Sequence, residues 1–310
     1  MKLIIQIPCL NEEKTLPITL AALPKSIEGI DEIEVLIIDD GSTDKTVETA
    51  KMFGVKHIVS LNRNYGLAKA FSVGLSNAIA LNADIIVNTD ADNQYCSDDI
   101  ENLIRPIING NADMVIGERP ISNIQHFSPS KKILQKLGSK VMSLVAGVKI
   151  NDAPSGFRAF SKNAAMKINI FDNYTYTLET IIQANAKGLV IANVPIRVNK
   201  EERKSRLISN IFVYIIRSIF TMIRMFIVYR PFRFFAIIAS LFLISGIITG
   251  ARFLCFYFNG NGSGHIQSLI LSSILILTGV QTAIIAILSD LFAINRKILE
   301  DIQIRLKTNN

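Results

Sequence analysis

The chain has 310 residues, 49% of them hydrophobic, with 33 Lys and Arg against 26 Asp and Glu and no Trp. That length admits one large domain with a smaller companion, or two domains. The mean hydropathy of +0.34 argues against a wholly soluble protein and for membrane segments.

The net charge of +7 is local. Residues 1–199 carry 20 basic and 21 acidic side chains. The excess gathers in residues 200–233, where Lys200, Arg203, Lys204, Arg206, Arg217, Arg224, Arg230 and Arg233 face only Glu201 and Glu202. A basic run just ahead of the most apolar part of a chain suits anionic lipid headgroups or an anionic substrate. No basic patch interleaved with stacking aromatics precedes it, so no nucleic-acid partner is expected. Cys9, Cys96 and Cys255 have neither metal nor redox spacing and suit a reducing compartment.

Residues 3–7 (LIIQI) read as a first strand, too short for a signal-peptide core. Further strands are predicted at 34–38, 57–60, 84–89, 113–117 and 189–198. Helical spacing falls between them, near 12–24, 44–53, 66–82, 97–109, 131–147 and 177–187. Such alternation predicts an α/β fold, a mostly parallel sheet with helices on both faces. Ligands bind at the carboxyl ends of strands in such sheets. The polar clusters lie there: PCLNEE after the first strand, DDGSTD after the second and DADNQ after the fourth.

Residues 207–232 are apolar except for arginines. Arg217 and Arg224, seven apart, share one helical face, which predicts amphipathic helices in the membrane interface. Residues 234–258 and 266–289 are each long enough to cross a ~30 Å hydrocarbon core, so two transmembrane helices are expected within 233–292. The connector near 259–265 has no Lys or Arg, whereas Arg230, Arg233, Arg296 and Lys297 flank the pair. The positive-inside rule then puts residues 1–206 and the tail 293–310 in the cytoplasm and the short loop outside. Gly246, Gly250 and Ala251 suit helix packing and, with it, a homo-oligomer.

Asp90 and Asp92 end a buried strand one residue apart, where like charges repel unless a cation sits between them. With Gln94 they offer hard oxygen ligands for Mg²⁺ or Mn²⁺. Asn11, Ser42 and Thr43 are good N-cap residues at helix starts that favour anions. Asp39 and Asp40 can accept hydrogen bonds from ribose or a base edge. A divalent metal beside a nucleotide at a strand end usually bridges phosphates.

The motifs IPCLNEE (7–13), DDGSTD (39–44), NRNYGLAKA (62–70), DADNQ (90–94), GER (117–119) and DAPSGFR (152–158) together resemble the family 2 glycosyltransferases with the GT-A (Rossmann-like) fold. Within that family the chain is similar to the polyprenyl-phosphate glycosyltransferases, which include dolichyl-phosphate mannose synthases and bacterial undecaprenyl-phosphate glucosyltransferases. The resemblance covers about residues 3–207 by motif, and the membrane part only by layout. It implies that Pro8, Asn11, Glu12, Asp39 and Asp40 bind the nucleoside, and that Asp90, Asp92 and Gln94 hold Mg²⁺ or Mn²⁺. It implies that Arg119, Ser155 and Arg158 line the acceptor and sugar pocket. Lys131 and Lys132, with Arg119, would meet the lipid phosphate, and Arg203 and Arg206 would close over the donor diphosphate. The implied reaction is inverting transfer of a sugar from a nucleotide sugar, UDP-glucose favoured over GDP-mannose, to a polyprenyl phosphate at the cytoplasmic face of a bacterial-type plasma membrane. Relatives of this layout also imply a homo-oligomer, a tetramer among the options. A processive polysaccharide synthase would carry a Gln-x-x-Arg-Trp motif, which a chain without Trp lacks. A transferase acting on a saccharide hydroxyl would need a carboxylate base, for which Asp152 and Glu179 are the available residues.

Overall fold

A computed structural model describes residues 1–121, 129–170, 176–199, 211–260 and 262–309. The chain forms two compact units, Met1–Met222 and Ile223–Asn310.

The first unit is built on a seven-stranded sheet. Its strands are β1 (Lys2–Cys9), β2 (Glu32–Asp39), β3 (His57–Ser60), β4 (Ile85–Asn88), β5 (Met114–Glu118), β6 (Arg158–Ser161) and β7 (Ile191–Pro195), in the order β3-β2-β1-β4-β6-β5-β7. All neighbours pair in parallel except β6, which runs antiparallel to both β4 and β5. The central strands are apolar on both faces, as sheets covered on two sides require. Leu3, Ile4, Ile5 and Ile7 of β1 and Ile37 and Ile38 of β2 have no exposed surface.

Helices α1 (Leu16–Ala22), α2 (Thr46–Met52), α3 (Leu67–Ala80), α4 (Ile100–Ile108), α5 (Pro129–Ala146), α6 (Lys162–Lys167) and α7 (Thr177–Ala186) complete the unit. All six helices and six strands expected from the sequence of this region are present. The spacing missed β6 and α6, a four-residue strand and a six-residue helix, too short for any period to register. Ser161 caps α6, its Oγ accepting from the Ala164 amide at 3.1 Å.

Because the chain winds from β1 to β2 and β3 on one side and then crosses to β4 on the other, a crevice opens outside the carboxyl ends of β1 and β4. The reversal of β6 brings its first residue to the same edge. Arg158 pairs with Asn88 of β4 and with Ile116 of β5.

Helix α8 (Ile211–Tyr229) covers most of the segment expected in the interface, as one helix, with Arg224 and Phe220 exposed. In the second unit, α9 (Pro231–Phe258) and α10 (Ile266–Asn309) are long and apolar enough to cross a membrane. Only 11% and 17% of their most apolar windows are buried, unlike the core helices of a soluble domain. α10 has 44 residues, about 66 Å at 1.5 Å per residue. The expected separate tail is therefore a continuation of the second apolar helix, since residues 290–309 contain no Gly or Pro to stop it.

The small residues expected to join helices do so within the chain. Gly246 and Gly250 face α10 so closely that a Cβ at either would lie 2.7 Å from Ile276 or Ser272, and the Ser272 hydroxyl donates to the Gly246 carbonyl at 2.7 Å. Ala251 is exposed.

Candidate active site

The loops after β1 and β2 are sewn together. Asn11 takes a left-handed φ of 56°, which Asn tolerates better than most residues. Its amide donates to Ser42 Oγ at 2.9 Å, and its Oδ1 accepts from the Thr43 amide at 2.8 Å. The Glu12 amide donates to Thr46 Oγ1 at 2.8 Å, while the buried Glu12 carboxylate accepts from Thr15 Oγ1 at 2.6 Å. Pro8 is buried as the penultimate residue of β1, opposite Ile38.

The two acids of DDGSTD divide their work. Asp39 Oδ1 accepts from the Ser42 amide at 3.0 Å and shapes the turn. Asp40 reaches across to the NRNYG loop, taking the amides of Tyr65 and Gly66 at 2.8 Å each. Gly41 makes this possible: its φ is +77°, and a Cβ there would lie 2.6 Å from the Arg63 backbone. Burial works to raise the Asp44 carboxyl. Hydrogen bonds from the Thr46 hydroxyl and the Glu13 and Thr46 amides outweigh it and hold Asp44 below the usual carboxylate range.

On the other side of the crevice, Ala91 is buried in the core, and Asp90 and Asp92 on either side of it are half-buried. Asp92 Oδ1 accepts from the Gln94 amide at 3.2 Å, closing a turn through Asn93, whose φ is 54°. Two carboxylates and one amide oxygen within five residues suit a small hard cation that keeps further positions for phosphate and water. No cluster of three or more His, Cys, Asp or Glu side chains forms an all-protein cage among the described residues.

Beneath this loop lies a buried polar network. Gln6 Nε2 donates to Asn88 Oδ1 at 2.9 Å, and Asn88 Nδ2 donates to Tyr176 Oη at 2.8 Å and to the Gly156 carbonyl at 2.9 Å. The Gly156 amide donates to Tyr95 Oη at 3.1 Å. The Gly156 peptide is thus held between two phenols, against Asp90: a Cβ on Gly156 would lie 3.3 Å from both Asp90 oxygens. Burial, then the negative charge of Asp90, pushes both phenols well up, and the Tyr176 hydroxyl donates to the Gly156 carbonyl at 3.2 Å. Tyr176 stacks on Phe71, ring centroids 3.8 Å apart, and Tyr95 on Phe157.

Three expected pocket residues lie deeper than the motif implied. Arg119 is 8% exposed, and Asp152 takes its Nε and Nη2 at 2.6 and 2.9 Å. One of the two guanidinium edges that can present paired N–H groups, Nε with Nη2, is therefore taken by a carboxylate. Although desolvation opposes it, the pair raises the Arg119 guanidinium above its ordinary value. Arg158 has no exposed surface. It donates to the carbonyls of Ser155, Ala153 and Thr177 at 2.7–2.8 Å and to Thr180 Oγ1, tying the SGFR turn to α7. Desolvation lowers it to about 10. Ser155 is likewise fully buried, and no hydrogen-bond partner of its Oγ lies among the described residues. Ser155 and Arg158, expected to line the pocket, lie fully buried in the turn that carries Gly156. Asp152 and Glu179, the available carboxylate bases, are also fully buried.

Lys131 and Lys132 lie in the first turn of α5, where Lys132 is half-buried; the side chain of Lys131 lies outside the described residues. Arg203 and Arg206 lie outside the described residues altogether.

A sheet in this order, with one reversed strand and paired acids at the β1/β4 crevice, is the GT-A class of fold. A solved neighbour is glucosyl-3-phosphoglycerate synthase from Mycobacterium tuberculosis, in complex with Mn²⁺, uridine diphosphate and glucosyl-3-phosphoglycerate. It superposes with a TM-score of 0.55 over 73% of this chain and 78% of that one, at 18% identity, which supports the fold alone. The family model described as glycosyl transferase family 2 matches residues 4–168, more than half of the chain. The protein belongs to that family. An uncharacterized protein of Methanocaldococcus jannaschii is 36% identical over 204 residues, covering 63% of this chain and 81% of its own. The UDP-N-acetylglucosamine–dolichyl-phosphate N-acetylglucosaminyltransferase of Methanococcus voltae is 32% identical, covering 62% and 83%. The undecaprenyl-phosphate mannosyltransferase of Micrococcus luteus is 26% identical, covering 65% and 85%. The resemblance to polyprenyl-phosphate glycosyltransferases drawn from the motifs is borne out.

Proposed function

We propose that this glycosyltransferase moves a sugar from a nucleotide sugar to a polyprenyl monophosphate at a membrane surface, with inversion at the anomeric carbon. The observation that carries this reading is the fate of the carboxylates. Those at the crevice, Asp90 and Asp92, stand as an adjacent pair suited to a cation, whereas Asp152 and Glu179 are fully buried beneath it. A hydroxyl acceptor needs a base within reach of its proton. A phosphate oxygen is already anionic near neutral pH and needs none. Relatives named for dolichyl-phosphate and undecaprenyl-phosphate acceptors, and two helices able to cross a membrane, support the same acceptor.

In this reading Pro8, Asn11, Glu12, Asp39 and Asp40 form the nucleoside side of the crevice, with the NRNYG loop fixed by Asp40. Asp90, Asp92 and Gln94 hold Mg²⁺ or Mn²⁺, and the bound ion offsets charge developing on the leaving diphosphate. Lys131, Lys132, Arg203 and Arg206 bring two anionic reactants together. Positioning supplies the rest: the phosphate oxygen is held in line with the bond to the leaving diphosphate. The catalytic unit faces the cytoplasm.

UDP-glucose is the donor favoured by the two-helix layout, and a relative named for UDP-N-acetylglucosamine supports a uridine nucleotide. The test is transfer by the full chain in detergent, with undecaprenyl phosphate and Mn²⁺ and with UDP-glucose, UDP-N-acetylglucosamine and GDP-mannose supplied separately. Lipid-linked sugar from one donor names the substrate. Transfer from GDP-mannose alone would overturn the uridine assignment.

A further inference from the structure

The metal loop is fastened from outside by a segment that no motif covers. Residues 197–199 run antiparallel to residues 94–96. The Cys96 amide donates to the Arg197 carbonyl at 3.3 Å, the Asn199 amide donates to the Gln94 carbonyl at 2.9 Å, and Tyr95 pairs with Val198. Asn199 adds its side chain: Nδ2 donates to the Asn93 carbonyl at 2.9 Å and to the Tyr95 carbonyl at 3.3 Å. One residue therefore takes three consecutive carbonyls, those of Asn93, Gln94 and Tyr95. Arg197 anchors the same segment, its Nη2 and backbone amide donating to the two Asp99 oxygens at 2.8 and 2.6 Å.

The grip falls where the loop most needs it. Asn93 holds a left-handed φ of 54°, which costs a non-glycine residue energy unless its surroundings over-determine it. That conformation lets the Gln94 amide turn back onto Asp92 Oδ1. Fixing the peptide planes on either side of Gln94 fixes where its side chain leaves the loop relative to Asp90 and Asp92.

We propose that Asn199 is a positioning residue for the divalent-metal site, holding the 93–95 backbone so that Gln94 and Asp92 address one ion. The inference rests on reading Asp90, Asp92 and Gln94 as the metal ligands. In sequence, Asn199 immediately precedes Lys200 and the basic stretch that includes Arg203 and Arg206.

The test is Mn²⁺ binding by the full chain in detergent, followed by electron paramagnetic resonance with UDP or GDP present. The variants are Asn199→Ala, Asn199→Ser and, as a matched control, Asn193→Ala. Asn193 lies on β7, and its Nδ2 donates to a single distant carbonyl, that of Lys149, at 2.9 Å. Wild type and Asn193→Ala are expected to bind Mn²⁺ alike, and the Asn199 variants about tenfold more weakly. Turnover of the Asn199 variants is expected to recover at high Mn²⁺, showing a raised metal requirement with kcat retained. Unchanged Mn²⁺ affinity in folded Asn199→Ala or Asn199→Ser would overturn the positioning role while leaving the metal site standing. A kcat loss that excess Mn²⁺ does not repair would do the same. No Mn²⁺ binding by wild type, with either nucleotide, would overturn the metal reading itself and this inference with it. Should Asn199→Ala not fold, Asn199→Ser carries the comparison, since its shorter side chain retains one hydroxyl donor.

Discussion

Arg119 and Asp152 form a two-point ion pair at the end of β5, and the Arg119 amide donates to the same Asp152 Oδ2 at 3.2 Å. Both side chains are buried, so each is costly without the other. Asp152→Ala or Arg119→Ala is expected to destabilise the protein by about 3–5 kcal/mol. A double replacement by apolar residues of similar size should cost much less than either single change. Denaturation in detergent, followed by circular dichroism, measures all three. Losses that simply add would show that the pair is not a unit.

A side chain at Gly156 should disturb the metal site. An alanine Cβ there would lie 2.9 Å from Tyr176 Oη and 3.3 Å from both Asp90 oxygens. Gly156→Ala is expected to fold and to raise the Mn²⁺ concentration for half-maximal activity several-fold. Tyr176→Phe, which removes the phenol and keeps the stack on Phe71, should relieve part of that defect in the double variant. An unchanged Mn²⁺ requirement would mean that Asp90 is not held through this contact.

Asp40→Asn should act on the nucleotide. Asp40 fixes the NRNYG loop through two backbone amides, and one amide nitrogen in Asn replaces an acceptor with a donor. About a tenfold rise in KM for the nucleotide sugar is expected, with kcat reduced less. Equal loss in kcat and kcat/KM would instead place Asp40 in transition-state contact.

Asp44 gives a pH signature. Its folded carboxyl titrates below the usual carboxylate range, so its stabilising contribution is present above the unfolded value of about 3.9. It is lost as pH falls through the folded value. The melting temperature of Asp44→Asn should therefore lie below that of wild type at pH 7, and the gap should close as pH drops below about 4. A gap independent of pH would point to lost packing rather than lost charge.

Much of this was legible in the residues. The strand–helix alternation placed all six expected strands, and the clusters NEE, DDGSTD and DADNQ fell at strand ends because parallel sheets put their loops there. The sheet's single reversal was not legible, since RAFS is too short to show a period and its direction depends on pairing with β4 and β5. Arg119 was expected to meet the phosphate and Arg158 to line the pocket because sequence shows charge but not the carboxylate or carbonyls that meet it. The polar layer under Asp90 did leave a trace: Gln6 and Asn88 each interrupt an apolar strand, and a buried polar side chain must find a partner. Asn199 left none, because its role depends on a chain crossing of more than a hundred residues.

In the proposed reaction the acceptor is a lipid phosphate and no carboxylate acts as base. The most direct measurement supplies the full chain with Mn²⁺, its preferred nucleotide sugar and either undecaprenyl phosphate or soluble saccharide acceptors, for wild type, Asp92→Ala and Glu179→Gln. Product is predicted only on the lipid phosphate, abolished by chelator and by Asp92→Ala. Folded Glu179→Gln should retain it. Transfer to a saccharide hydroxyl without lipid, lost in folded Glu179→Gln, would contradict a lipid-phosphate acceptor.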